Sequence, residues 1–204
     1  MTKKSVPLTD NTSGSPHSFW ESRFLFAATL LMLAFTGGVK GEEAFVSMKE
    51  SGHGTYGVEG HFFVEASTSI AWAVLTDYDH IADFVSSMEQ SRIKSRTGAV
   101  LLVEQKAKGE FFLFSRSVYV LLEIQEKPQE SIQFEDTSHK DFDRYTGSWK
   151  LEATKEGVLV VYNLNVKSNF AVPGFVKRRV VKRSALELLE QVRSEIVKRS
   201  GRNL

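Results

Sequence analysis

The stretch VEASTSIAWAVLTDYDHIADFVSSMEQSRI, residues 64–93, changes from a strand pattern to two short helices and back to a strand. Ser67 or Thr68 offers a side-chain oxygen that can cap a helix at its first turn. Asp77 is a second candidate cap, and apolar residues recur after it at helical spacing. The stretch therefore predicts two small helices between about residues 67 and 86, inserted between strands.

Outside this stretch, apolar and polar residues mostly alternate, which is typical of half-buried strands. Thr97-Gly98 fits the turn of a hairpin, and Lys108-Gly109 is expected to separate two further strands. Connections this short favour an antiparallel meander. The strand candidates are residues 54–65, 92–96, 100–106, 111–125, 131–136, 142–151 and 158–167.

The C-terminal part of the chain predicts one long amphipathic helix. Pro173 lies where the helix would start, a position that proline tolerates, and the pattern runs to about Arg199. The apolar stripe consists of Val181, Ala185, Leu188, Val192 and Ile196. Because this stripe must cover something apolar, it is expected to dock on the sheet. The predicted fold is α+β and of the helix-grip type: a curved antiparallel sheet of about seven strands wraps around a long C-terminal helix, with two short helices after the first strand.

The N-terminus carries a candidate export signal. The apolar run FLFAATLLMLAF, residues 24–35, is shorter than the ~20 residues that a membrane-spanning helix needs. It has a basic flank and small residues after it, as secretory signals do. We expect an exported protein, periplasmic or secreted, and the alternative is a membrane anchor formed by residues 24–35. The predicted divisions are a polar segment and signal peptide over 1–41, a linker over 42–53 and one domain over 54–200.

The composition and the missing motifs exclude or disfavour several kinds of partner and active site. The formal net charge is +1, which does not favour nucleic acid as a partner. The chain has no cysteine, which excludes disulfides, thiolate zinc sites and a cysteine nucleophile. The five histidines show no metal-ligand spacing, and there is no glycine-rich phosphate loop or nucleophile elbow. We expect no metal and no cofactor, and nothing in the sequence requires an enzyme.

A sheet that wraps around one helix often leaves a cavity, and strand parity nominates residues that line it. On the long strand, Arg116 shares the apolar face with Phe114 and Val118. A lone buried charge needs a partner or a ligand. The alternative is that Arg116 reaches solvent, or an internal carboxylate, near a bulge or a strand end.

Three aromatic residues on the last two strands are further candidates. Tyr145, Trp149 and Tyr162 have inward parity, and their polar tips suit a ligand. The alternative is that they are ordinary core aromatics. Gln105 is a weaker candidate on a neighbouring strand. Gly147 lies inside a strand pattern and indicates a bulge or a close approach of backbone or ligand.

The beginning of the long helix is unusually basic, although cations at a helix N-terminus oppose its dipole by about 0.3–1 kcal/mol each. A solvated face is one explanation. The other is contact with an anionic membrane surface, which a neighbouring exposed aromatic residue would support. The candidate contact residues are Phe175, Lys177, Arg178, Arg179, Lys182 and Arg183.

The helical stretch resembles the opening of the polyketide cyclase/coenzyme Q-binding branch of the START-like (SRPBCC) superfamily. Trp72, Leu75, Thr76-Asp77-Tyr78 and Phe84 carry the resemblance, and Gly147-Ser148-Trp149 and the Pro173-led helix agree with it in order. It covers about residues 54–199. The resemblance implies a helix-grip fold whose cavity takes lipids, isoprenoid quinones, polyketides or other hydrophobic molecules, with no universal catalytic residue. Ser86 stands where members usually have proline.

Three functions follow from these expectations. The first is non-enzymatic binding or transport of a hydrophobic small molecule (a lipid, an isoprenoid quinone or a polyketide-like compound), with a membrane surface as a candidate location. The second is a cyclase/dehydratase-like or hydrolytic enzyme, in which Arg116 and a tyrosine polarise a hydrophobic carbonyl substrate. The third is a ligand-free interaction module. An apolar cavity would favour the binding or transport function, and polar groups that converge in the cavity would favour the enzyme. An interior filled by side chains would favour the interaction module. The oligomeric state stays open.

Overall fold

The computed structural model describes residues 43–111, 114–171 and 173–201, without the side chains of residues 110–115. The predicted signal segment, residues 24–35, and the side chain of Phe114 lie outside this part. The described residues form one compact unit. None of the helices in the described part is both long and apolar enough to cross a membrane.

Eight antiparallel strands form one curved sheet, which confirms the predicted fold class. Their spatial order is β1-β2-β8-β7-β6-β5-β4-β3, so β2 and β8 pair although they are far apart in sequence. The strands are β1 Phe45–Glu50, β2 Tyr56–Val64, β3 Met88–Thr97, β4 Val100–Phe111, β5 Phe114–Lys127, β6 Ser131–Asp136, β7 Phe142–Ala153 and β8 Val158–Ser168.

The helices lie in the predicted places. Helix α1 spans Thr68–Leu75, a 3₁₀ turn spans Tyr78–His80, α2 spans Ile81–Phe84 and α3 spans Gly174–Gly201. Ser67 caps α1, because its Oγ accepts a hydrogen bond from the Ile70 amide at 3.3 Å. Asp77 precedes the 3₁₀ turn but makes no side-chain capping bond, contrary to expectation.

Asp77 instead ties the two short helices to the end of α3. Its carboxylate pairs with His80 at 2.6 Å and with Arg199 at 2.9 Å, and Arg199 also pairs with Glu195 at 2.8 Å. Burial disfavours the charge on Asp77 and on Glu195. Their hydrogen bonds outweigh that effect, through His80 and Arg199 for Asp77 and through Arg199 and Lys198 for Glu195, so the pKa of each carboxyl is lowered.

The predicted linker over residues 42–53 is wrong, because β1 falls within it. This strand pairs antiparallel with β2 from Phe45↔His61 to Glu50↔Tyr56. Val46 is buried, but most of the strand is polar or exposed, as is common at a sheet edge. The apolar alternation is therefore too short to reveal the strand, and the sheet has one strand more than the expected seven.

The predicted break at Lys108-Gly109 is also wrong. Strand β4 runs through both residues, and Gly109 lies opposite Arg116 on β5. Glycine keeps its backbone donor and acceptor, so it can remain in a ladder although it weakens a strand. The consequence for the site is that Arg116 lies near the end of the β4–β5 hairpin.

Helix α3 docks on the sheet with its apolar stripe. Ala185, Leu189, Val192 and Ile196 are buried, whereas Val181 and Leu188 are half-buried. The helix approaches β2 closely at Gly60, where an added Cβ would lie 2.5 Å from Cδ1 of Leu189. Gly60 is therefore required for this close packing.

Candidate ligand-binding site: an apolar cavity under the C-terminal helix

A mainly apolar cavity of about 100 Å³ lies between the concave face of the sheet, the short helices and α3. From the sheet it is lined by Met88, Gln105, Leu122, Ile124, Ile132, Phe134, Tyr145, Trp149 and Tyr162. From the helices and the loop after α2 it is lined by Val74, Leu75, Tyr78, Ile81, Phe84, Val85, Leu188 and Val192. The interior is thus not completely filled by side chains.

The size of the cavity limits what it holds in this conformation. Pockets for drug-sized ligands measure about 300–1,000 Å³, whereas an apolar cavity of about 150 Å³ is enough for benzene. The present volume is smaller than that, so even a single aromatic or alicyclic ring requires the lining side chains to shift. A long-chain lipid or a quinone tail requires the lining side chains, or α3, to move.

Tyr145 and Tyr162 bring two interacting phenol groups to the cavity wall. Burial raises the pKa of Tyr145 to about 12, against a smaller lowering effect of the Tyr162 hydroxyl. Burial, followed by the effect of Tyr145, raises the pKa of Tyr162 well above its usual value. The Trp149 and Tyr162 rings lie 4.4 Å apart between centroids. Both phenols therefore stay protonated near neutral pH and serve as hydrogen-bond donors or acceptors, not as bases.

Two further polar groups on the cavity wall have protein partners. Tyr78 donates its hydroxyl hydrogen bond to Glu126 at 2.9 Å, and burial together with this carboxylate raises the pKa of Tyr78. Gln105 donates to Ser91 Oγ at 3.2 Å. The described polar groups at the wall are thus largely satisfied, and the remaining surface is apolar.

The loop after α2 is fastened to α3 by a reciprocal pair of hydrogen bonds. The Ser86 amide donates to Gln191 Oε1 at 3.0 Å, and Gln191 Nε2 donates to Ser86 Oγ at 2.8 Å. A proline at position 86 has no amide hydrogen for this bond. Ser86 and Gln191 line a separate polar cavity of about 270 Å³, while the adjacent Val85 and Val192 line the apolar one. The pair therefore lies at the boundary between the two.

The structure brings four of the predicted site residues together and leaves two elsewhere. Gln105, Tyr145, Trp149 and Tyr162 line the cavity, in line with their parity, but Arg116 and Val118 do not. The predicted Phe114 contact concerns a side chain outside the described part.

Arg116 has the internal carboxylate that the sequence left open as an alternative. Its guanidinium pairs with Asp141 at 2.7 Å and lies 4.3 Å from the centre of the Phe170 ring. Asp141 also accepts a hydrogen bond from the Tyr119 amide at 2.9 Å. The Arg116 side chain is 46% exposed, so its position on the apolar face does not make it a buried charge that awaits a ligand.

Gly147 marks a close approach, as expected, and the approaching group is protein. An added Cβ would overlap the carbonyl oxygen of Asn163 and lie 2.5 Å from the Phe134 ring. Phe134 also lines the cavity. Gly147 therefore shapes the cavity wall indirectly, by allowing the Phe134 ring to lie close to the backbone of β7.

The basic residues of α3 lie on its first turns. Arg178, Arg179, Lys182 and Arg183 are exposed and Lys177 is half-buried. Phe175 is 78% exposed, the most exposed large apolar side chain in the described part. At 1.5 Å per residue it lies about 20 Å along the helix from Leu188 of the cavity wall.

Sequence reasoning missed the contributions of the helices to the cavity, including Tyr78, Leu188 and Val192. It also missed Asp136, which is 2% exposed and follows the inward parity of Ile132 and Phe134 on β6. That parity was a usable signal. No group of histidine and acidic residues in the described ranges is arranged to hold a metal ion.

Comparison with known families agrees with this architecture. Residues 64–193 match the family model for polyketide cyclase/dehydrase and lipid transport proteins. The match covers more than half of the chain, so the protein belongs to this family. No curated protein sequence matches the chain.

Solved structures with the same fold include both of the classes in the family's description. The protein TTHA0849 from Thermus thermophilus is 20% identical, with a TM-score of 0.60 over 72% of this chain and 98% of its own. The Zhui aromatase/cyclase from Streptomyces sp. R1128 is 16% identical, with a TM-score of 0.61 over 71% and 95%. A STAR-related lipid transfer protein from Xanthomonas axonopodis is 15% identical, with a TM-score of 0.57 over 74% and 98%. At these identities the likeness establishes the fold.

Proposed function

We propose that the protein binds a hydrophobic small molecule in the apolar cavity, without catalysing a reaction on it. The observation that carries the proposal is the cavity itself, because a fold that needed only a core would fill this space. Membership of a family described by cyclases, dehydrases and lipid transport supports a hydrophobic ligand. Lipids, isoprenoid quinones and polyketide-like compounds are the ligand classes to test.

The test is the binding of N-phenyl-1-naphthylamine, an aromatic probe whose fluorescence rises in apolar surroundings. Its three rings exceed the present volume, so its binding also requires the lining side chains or α3 to move. Val192 is 4% exposed and lines the cavity, so Val192→Phe places a ring in the space for the probe. Val197 lies on the same helix and is 48% exposed, which makes Val197→Phe the matched control. We expect saturable binding that Val192→Phe reduces at least tenfold and Val197→Phe leaves unchanged. Equal binding by all three proteins would place the probe outside the cavity.

A second candidate, an enzyme acting on a hydrophobic carbonyl compound, is favoured by one observation. The Tyr145 and Tyr162 hydroxyls converge at the cavity wall and remain protonated, as donors to a carbonyl oxygen must be. Against it, Arg116 is paired with Asp141 away from the cavity. Turnover of a poly-β-ketone substrate that Tyr162→Phe abolishes, with probe binding retained, would favour the enzyme.

We also propose that the basic start of α3 contacts an anionic membrane surface. Exposed cations beside the exposed Phe175 suit the headgroup region of a bilayer. Replacing Lys177, Arg178 and Arg179 with glutamine should weaken binding to phosphatidylserine vesicles, and the remaining binding should be less sensitive to salt.

The control for this membrane test changes an equal number of cations elsewhere. Lys49, Lys106 and Lys127 are exposed and lie on three different strands. Their replacement with glutamine should leave vesicle binding nearly unchanged. If both triple variants lose affinity equally, overall charge explains the binding and the helix has no special role.

Export to the periplasm or the medium stays a proposal, to be tested by fractionating cells that express the full chain.

A further inference from the structure

Asp136 is a buried carboxylate with only one of its two oxygens satisfied by protein. Its Oδ1 accepts hydrogen bonds from the amides of Leu121 and Ser138, both at 2.9 Å. Its Oδ2 has no hydrogen-bond partner among the described residues. In this part of the chain it is the only buried side-chain nitrogen or oxygen atom without a partner. The side chain is 2% exposed. A buried, unpartnered acceptor is costly, so it requires an explanation.

The register places this carboxylate beside the cavity. Asp136 follows Ile132 and Phe134 on the inward face of β6, and both of these residues line the cavity. It lies opposite Leu122 of β5, another lining residue. On the other side, continuing the pairing of Glu135 with Thr146 by one residue brings it next to Tyr145.

The distance from the cavity to Asp136 is short. Residues two apart on one face of a strand are separated by about 7 Å, so Asp136 lies roughly that far beyond Phe134. Electrostatics agree with its closeness to the wall: burial is the main cause of the raised pKa of Tyr145, and the charge of Asp136 adds to it. Asp136 does not itself line the cavity and its Oδ2 is buried behind the wall, so a ring substituent of two or three atoms reaches the carboxylate only when the side chains next to Phe134 move aside.

We propose that Asp136 Oδ2 accepts a hydrogen bond from a hydroxyl or amino group of the bound hydrophobic molecule. The inference rests on the proposed binding function and narrows its ligand class. The preferred ligand has an apolar ring or chain with a hydrogen-bond donor at one end. A hydrocarbon, or a ligand with only acceptor groups at that end, leaves Oδ2 unsatisfied and binds more weakly.

The test compares three ligands of nearly the same shape. These are 4-phenyl-2-butanol, which has a donor, 4-phenyl-2-butanone, which has only an acceptor, and butylbenzene, which has neither. Isothermal titration calorimetry on the wild-type chain should give the alcohol about 10-fold tighter binding than the ketone, equal to ~1.4 kcal/mol.

The variant Asp136→Asn tests the role of the orphan oxygen itself. Its amide oxygen can still accept from the Leu121 and Ser138 amides, which places an NH₂ donor where Oδ2 was. The variant should prefer the ketone or lose the discrimination, while its affinity for butylbenzene stays unchanged. Asp143→Asn is the matched control, because Asp143 is 49% exposed and pairs with Lys167. It should keep the wild-type ratio.

The failures are distinguishable. If butylbenzene binds but wild type takes alcohol and ketone equally, as expected where a buried water satisfies Oδ2, this inference is overturned and the binding function stands. If none of the three ligands binds but N-phenyl-1-naphthylamine does, this inference is overturned and the binding function stands; if that probe does not bind either, both are overturned. If far-ultraviolet circular dichroism shows that Asp136→Asn does not fold, the ratio of the wild-type affinities for the alcohol and the ketone decides between these outcomes by itself.

Discussion

Gly60 of β2 allows α3 to pack closely on the sheet at Leu189, and the energy of this contact can be measured with a double-mutant cycle. Leu189 is fully buried, so Leu189→Ala should cost about 3 kcal/mol of unfolding free energy, within the usual range of about 2–5 kcal/mol. Gly60→Ala puts a methyl group 2.5 Å from Leu189 Cδ1 and 3.1 Å from the Phe45 carbonyl oxygen. Overpacking of this kind should cost about 1–3 kcal/mol.

In the double variant, the methyl group added at position 60 occupies space that the leucine has left. The two costs should therefore not add, and the double variant should be about 1–2 kcal/mol more stable than their sum. The assay is urea unfolding monitored by circular dichroism. The matched control is Gly57→Ala on the same strand, where an added Cβ meets nothing closer than 3.6 Å. Gly57→Ala should be additive with Leu189→Ala. Additivity for Gly60→Ala as well would refute the close docking of α3 on β2.

Three other changes have defined outcomes. Gln191→Ala removes both hydrogen bonds to the loop after α2, so it should cost only about 1 kcal/mol of stability. It should also speed the association of N-phenyl-1-naphthylamine in stopped flow. An unchanged association rate would count against entry of the probe beside this loop. Arg116→Leu should lower stability by about 1–3 kcal/mol, because the ion pair with Asp141 is lost, and should leave probe affinity within about twofold of wild type. A large loss of affinity would indicate that Arg116 contacts the ligand. The pKa values of Asp77 and Glu195 are lowered in the folded protein, so the stabilisation they give is present above the pKa values of the unfolded chain and is lost as pH falls through the lower, folded values. Arg199→Gln should flatten that loss of stability in pH-dependent melting, and an unaltered profile would contradict this expectation.

The fold was predictable wherever a long periodic pattern faces the core. The stripe from Ala185 to Ile196 and the cap at Ser67 are local signals that tertiary packing does not reverse. Strand β1 was not predictable in this way, because an edge strand buries little and its pairing comes from β2. The strand break predicted at Gly109 was wrong for a related reason, because only the pairing with β5 shows that β4 continues through this residue.

The site was predictable only in part. Parity correctly placed Tyr145, Trp149 and Tyr162 toward the interior, because alternation fixes which face a strand residue occupies. It gave no information on what each side chain meets there. The partner of Arg116 is Asp141, which precedes a different strand, so the sequence could not decide between a ligand and a carboxylate.

The central claim is that the space under α3 holds a hydrophobic guest, and native mass spectrometry of protein purified from its own host tests it most directly. The account predicts a non-covalent adduct that solvent extraction releases, present on wild type and on Val197→Phe but absent from Val192→Phe, whose added ring occupies the cavity. An adduct retained equally by Val192→Phe, or wild-type protein that carries no guest and takes up none of the ligands described above, would contradict it.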